Sequence, residues 1–123
     1  MADRDLLDLL RGPIASVGAL ELLLRLRESA PAAWAVDRLV QELRSSRSQV
    51  ENACTRMTAG GLLRMDDAGQ YFYAPVSETL ELLCRQLAEL YRQKPASVIS
   101  ALFTSEDRLR SFADAFRLKG EDE

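Results

Sequence analysis

Residues 44–64 gather the side chains whose types and spacing suit recognition chemistry: Arg44, Ser46, Arg47, Ser48, Gln49, Asn52, Thr55, Arg56 and Arg64. Arginine offers a planar fork of N–H donors that matches phosphate oxygens and guanine edges. Asn and Gln each carry a donor and an acceptor on one amide and can grip adenine bidentately, while Ser and Thr hydroxyls serve either kind of partner. Catalytic chemistry has no such foundation. The chain has no His, which removes the commonest general base and the commonest zinc ligand. Its two cysteines, Cys54 and Cys84, are far apart with no second pair, and no glycine-rich phosphate loop occurs. Gly60-Gly61 reads as a helix stop, and Asp66-Asp67 as a solvated turn. The expectation is therefore binding, with no catalytic residue, no cofactor and no metal.

For these side chains to share a surface they need a helix. Val50, Ala53, Cys54 and Met57 recur at i, i+3, i+4 and i+7 and predict one over residues 47–59 with that stripe inward. A step of ~100° per residue then turns Ser48, Asn52, Thr55 and Ala59 outward, with Gln49 and Arg56 on one flank and Glu51 on the other. The Thr55 methyl and Ala59 would suit thymine methyls. Ser46-x-x-Gln49 is a capping box for the start of the helix. The free N–H groups there, at Arg47 and Ser48, suit a phosphate. Arg44, Arg47, Arg56 and Arg64 are the candidate phosphate clamps. The same outward Ser, Asn and Thr would equally make an ordinary solvated helix face.

The surrounding elements follow from the same periodicities. A leading helix over 3–10, with Leu6, Leu7, Leu9 and Leu10, is expected to stop at Gly12-Pro13. Ser16 would cap a helix over 17–28 whose apolar face (Ala19, Leu22, Leu23 and Leu26, widened by Leu20 and Leu24) suits a central position. Ser29-Ala30-Pro31 breaks it, and residues 33–35 read as a brief extended link. Val36, Leu39, Val40 and Leu43 predict a short helix over 36–43, joined by Arg44-Ser45-Ser46 to the helix above. Strands over 62–65 and 70–73 flank Asp66-Asp67-Ala68-Gly69, where Gly69 supplies a positive φ. Trp34, Tyr71 and Tyr73 read as packing residues, with Phe72 on the other side of the hairpin. A helix over 77–93 carries a heptad-like seam of Leu80, Leu83, Cys84, Leu87, Leu90 and Tyr91. That seam serves either a second copy of the chain or the chain's own core, and periodicity does not separate the two. Pro95 ends or kinks it; Val98, Ile99, Leu102 and Phe103 make a second short amphipathic piece. A last helix over 105–118 places Leu109, Phe112, Ala113 and Phe116 on one face.

Composition bounds these expectations. At 123 residues, with 47% hydrophobic and 28% charged residues, the chain has a single-domain length and can bury one core. Scarce Gly and Pro favour helices. The fold class expected is mainly α with a small β-hairpin, divided into an arm over 1–13, a central unit over 14–76 and a helical extension over 77–123. A net charge of −3 argues against a generic polyanion binder. The central unit is neutral, with seven Arg against seven acids, so the surplus acid lies at the two ends. Both cysteines fall on apolar faces and read as buried reduced thiols, with a redox switch as the minor alternative. The start is no signal peptide, and no apolar run approaches the ~20 residues needed to span a bilayer. A cytoplasmic protein with no membrane contact is expected.

Two short helices joined by a three-residue turn, then a Gly-Gly stop and a hairpin, are the ordered parts of a winged helix-turn-helix. Through Ser45-Ser46 to Val50, the Val50/Ala53/Cys54/Met57 set and Gly61-Leu62-Leu63-Arg64, residues 16–76 resemble the DNA-binding domain of bacterial regulators of the multiple-antibiotic-resistance-regulator type. The resemblance covers about half of the chain. It implies a transcription regulator with the 47–59 helix in the major groove of double-stranded DNA; in a homodimer the apolar seam of the 77–93 helix offers Leu80, Leu83, Leu87, Leu90 and Tyr91 as dimer contacts. The chain departs from the pattern at a short wing whose tip holds Asp66 and Asp67, where such regulators present basic residues. The acidic balance and that tip favour another class, a winged-helix module that binds a protein partner in place of DNA.

Overall fold

A computed structural model describes residues 2–102, with side chains from residue 5 onward. The helix expected over 105–118, together with Phe103, lies outside the described residues. The chain is mainly helical with one antiparallel hairpin: α1 (Ala2–Leu9), a π-helical turn (Leu10–Ile14), α2 (Val17–Glu28), α3 (Val36–Leu43), α4 (Arg47–Ala59), β1 (Leu63–Met65), β2 (Tyr71–Tyr73), α5 (Glu78–Gln93) and α6 (Pro95–Leu102).

Gly12-Pro13 does not stop the first helix, contrary to expectation. Pro13 has no N–H to give and its ring would strike the carbonyl four residues back in an α-helix. The chain widens to a π turn instead, closed by Ala15 N–H to the Leu10 carbonyl at 2.7 Å, and ends where Ala15 takes a left-handed φ of 65°. Ile14 is carried by that turn into the core.

α2 is the strut of the molecule. Ser16 caps it, its Oγ accepting from Ala19 N at 3.0 Å. Leu20, Leu22, Leu23 and Leu26 are all fully buried, so the helix is covered on most sides, against α4, α3 and β2. The link after α2 is more than extended chain: Trp34 and Tyr71 exchange backbone hydrogen bonds of 2.8 and 2.9 Å, adding a single rung to the β2 edge. Trp34 is buried, and its indole N–H donates to Ser29 Oγ at 3.0 Å.

Gly60-Gly61 ends α4 for two separate reasons. Leu62 N–H returns to the Met57 carbonyl and Gly61 N–H to the Thr58 carbonyl, the paired bonds of a Schellman stop, with Gly61 at φ 83°. A Cβ on Gly60 would lie 2.6 Å from Pro13 Cγ, so the α4 terminus and the π turn meet only through a glycine. The hairpin follows in the register Leu63↔Tyr73, Arg64↔Phe72 and Met65↔Tyr71. At its tip Asp66 Oδ1 accepts from Ala68 N and Gln70 N, both at 2.9 Å, and Gly69 takes φ 82°.

The seam of α5 belongs in large part to the chain's own core. Leu83, Cys84 and Leu87 are buried in the same cluster as Leu6, Leu9 and Leu10 of the first turns, and Leu80, Leu90 and Tyr91 are partly buried against it. Of the five residues set out as dimer contacts, Leu83 and Leu87 are therefore spent within the chain, because α1 and α6 lie on the face they present. Pro95 ends α5 and also opens α6 as its first residue, where a missing N–H costs nothing. The hairpin is tied to α5 by polar contacts as well. Tyr73 Oη donates to Glu81 Oε1 at 2.7 Å, and Glu81 Oε2 faces Arg27 of α2 at 3.6 Å and Arg85 at 3.4 Å. These contacts, first of all the Tyr73 hydrogen bond, lower the Glu81 pKa from its ordinary value.

Two outcomes are expected from these contacts. Gly61→Ala forces a left-handed φ on a Cβ that meets Val76 at 2.8 Å, and should cost about 1–2 kcal/mol. Thermal unfolding would show this as a fall of several degrees in Tm. A depressed Glu81 pKa stabilises the folded chain above the ordinary carboxylate range, and that contribution is lost as pH falls through the folded value. Denaturant midpoints should therefore fall from neutral pH toward pH 3 less steeply in Glu81→Gln than in the parent chain.

Candidate nucleic-acid interface

α4 is presented by the turn that precedes it. Arg44 caps α3 in a left-handed conformation (φ 54°, ψ 41°), and this reversal starts the three-residue turn between the helices. Ser46 then caps α4, its Oγ accepting from Gln49 N at 3.2 Å and its carbonyl from Val50 N at 3.1 Å. Only this half of the capping box forms, since the Gln49 amide makes no return bond to Ser46 N–H. Val50, Ala53, Cys54 and Met57 are buried, which fixes the rotation of the helix about its axis.

All nine residues singled out from the sequence lie at the surface. Ser48, Asn52 and Thr55 are exposed along the outward face of α4 with Ala59, and Gln49 and Arg56 are exposed on its flank. Arg44 stands at the turn, Arg47 on the first turn of α4 and Arg64 on β1, all exposed. A cleft of about 260 Å³ opens where Gln49, Asn52 and Arg56 face Ser45 and the first turn of α2. Its floor is apolar, from Ile14, Leu22, Val50 and Ala53, and Gln49, Asn52 and Arg56 stand along the α4 side of it.

The four arginines are not equivalent. Arg44, Arg56 and Arg64 have no ion-pair partner among the described residues, so their donors remain free. Arg47 contacts Asp37 of α3 and lies 3.2 Å from Glu51 on its own helix. Sequence reasoning missed this pairing: Asp37 reaches Arg47 only because the turn folds α3 across α4, although the i, i+4 spacing of Arg47 and Glu51 was visible. It also missed Arg38, whose guanidinium stacks over the Trp34 ring at 4.2 Å with no carboxylate partner among the described residues. The acid at the hairpin tip differs from expectation too. Asp66 turns its carboxylate onto two N–H groups of the turn, which leaves Asp67 as the acid projecting there.

The remaining candidates for chemistry are quiet. Cys54 and Cys84 are buried free thiols. Burial, with Glu51 nearby, pushes the Cys54 thiol up to about 12, and burial also raises Cys84, so neither carries a thiolate near neutrality. Among the described residues no cluster of His, Cys, Asp and Glu could hold a metal ion, and no helix is long and apolar enough to cross a membrane. A larger cleft of about 660 Å³ between α2, the end of α3 and α5 is lined by both signs of charge, including Arg25, Arg27, Arg92, Glu28, Glu42 and Glu89.

The left-handed φ of Arg44 is costly for a residue with a Cβ, by about 1 kcal/mol, and glycine would relieve it. Arg44→Gly should hold the unfolding free energy or raise it by up to about 1 kcal/mol while removing one cation beside α4. A clear loss of stability in denaturant titration would show that the Arg44 side chain is needed by the fold itself.

No protein family, no curated protein and no solved structure matches this chain.

Proposed function

We propose that this chain is a winged helix-turn-helix DNA-binding regulator of transcription, cytoplasmic and homodimeric, with α3 and α4 as the helix pair and the β1–β2 hairpin as the wing. One observation carries the proposal: α4 projects Ser48, Asn52 and Thr55 outward beside Gln49, with Arg44, Arg56 and Arg64 around them unpaired among the described residues. In this reading α4 lies in the major groove, Asn52 and Gln49 address adenine edges, and Ser48 and Thr55 complete the polar contacts. Arg44, Arg56 and Arg64 take phosphates, and the free N–H groups at the start of α4 assist them. Two copies would read two half-sites, which offsets the modest electrostatic footprint of one neutral unit. Of the α5 seam, Leu80, Leu90 and Tyr91 are only partly buried in the chain's own core and are the part left for a second copy.

A second reading has its own support. The net charge of −3 and the two carboxylates that neutralise Arg47 favour a winged-helix module that binds a protein partner. The two readings part on duplex DNA. In a low-salt mobility shift against a pool of random-sequence duplexes, Asn52→Ala with Arg56→Ala should lower retention at least about tenfold, since a good bidentate base contact alone is worth about 1–3 kcal/mol. Helicity by circular dichroism should not change. Equal retention of the two proteins, or none by either, would count for the protein-binding module. Light scattering should give twice the chain mass for the dimer, and the mass of one chain would remove that element.

A further inference from the structure

The cation on the first turn of α4 is held by two acids. Arg47 Nη2 contacts Asp37 Oδ1 from α3, and Arg47 Nη1 lies 3.2 Å from Glu51 Oε2, one turn along the same helix. The three side chains are 55%, 75% and 53% exposed, so none of them is needed to satisfy a buried group. Exposed pairs of this kind contribute little to stability, about 0–1 kcal/mol each. They have a larger consequence for any anion approaching α4. A single positive charge stands between two negative ones, so the triad itself carries a net charge of −1, while Arg44, Arg56 and Arg64 around it have no paired acid among the described residues.

We infer that the Asp37–Arg47–Glu51 triad is a charge brake on α4: the two carboxylates occupy Arg47 where a phosphate would otherwise sit, and DNA must displace them to engage it. The inference rests on the DNA-binding reading and specifies how that binding is regulated by the chain itself. Non-specific association with a duplex is nearly all electrostatic, whereas specific association adds contacts to base edges. A fixed electrostatic penalty lowers both by the same factor, so the triad reduces affinity for any duplex and leaves the base-edge contacts to decide which duplexes are retained. It also accounts for an acidic residue on the flank of a helix that presents Asn and Gln to solvent.

The experiment measures retention of random-sequence duplex DNA across a salt series by the parent chain, Asp37→Asn, Glu51→Gln, the double variant, and each with Arg47→Ala added. Freed of both acids, Arg47 should tighten low-salt binding about fivefold and steepen the salt dependence by about one released counterion. Arg47→Ala alone should change retention less than twofold, yet abolish the gain when added to the double variant. Unfolding midpoints should stay close to the parent value. If the double variant unfolds early, Glu51→Gln alone keeps the α3 contact, and a smaller gain in the same direction is expected. Unchanged or weaker binding by these variants, with the parent still retained through Asn52 and Arg56, overturns the brake and leaves the DNA reading standing. Absence of retention by every variant overturns both.

Discussion

The buried stripe of α4 against α2 is the constraint on which the rest depends. Val50, Ala53, Cys54 and Met57 are all buried, and a helix anchored on four positions of one face has no freedom to rotate. Each outward residue is thereby assigned its direction. α2 can serve as the anchor because its own leucines are covered on several sides, by α3 and β2 as well as α4. Loosening this contact by one methylene would leave a cavity beneath the surface-presenting helix, and the polar face would lose its definition before the chain lost its fold.

Much of the chain could be read from its pattern, for reasons that differ by element. α4 was legible to the residue because four apolar positions, a serine cap and a glycine stop all agree on its limits, and α3 from its four apolar positions alone, with Ala35 before it and Arg44 after it. The Schellman stop and the hairpin tip were legible because positive φ is nearly reserved to glycine, here Gly61 and Gly69. The π turn was not. Gly12-Pro13 carries the composition of a helix end, and the close approach of Pro13 to Gly60 is a contact across the fold that no local pattern shows. The Trp34 rung was hidden for a similar reason, since one residue of strand has no period. The α5 seam was ambiguous in sequence, because a heptad stripe looks the same whether its partner is a second chain or α1 and α6.

For the candidate surface, residue type and exposure were legible, and electrostatic state was not. The face of α4 follows from helical rotation alone. Which arginine is free depends on contacts between α3 and α4 that no local spacing reveals: Asp37 claims Arg47, and Trp34 holds Arg38. The same holds at the hairpin, where an acid read as repulsive proves to be half of the turn's hydrogen bonding through Asp66. Counting charges along a segment gave neutrality. The arrangement instead separates Arg44, Arg56 and Arg64, unpaired among the described residues, from a neutralised cation at Arg47, and only the arrangement acts on a partner.

Distant parts of the surface are linked through one small polar node. Glu81 accepts the Tyr73 phenol from β2 and faces Arg27 from α2, so hairpin, strut and α5 converge on a single carboxylate. Arg27 Nε is buried there without a hydrogen-bond partner among the described residues, and its guanidinium lies 5.9 Å from the Tyr73 ring. A partly buried carboxylate shared among three elements resists their separate motion, because moving any one of them leaves a polar group without its partner. The angle of the hairpin relative to α4 is thus set from two ends: by Gly61 at its root, and by α5 through Tyr73. The same three elements also share the apolar core, where Leu63, Leu83 and Leu87 are buried in one cluster with Tyr73 packed against it, so the polar node and the core hold the hairpin together.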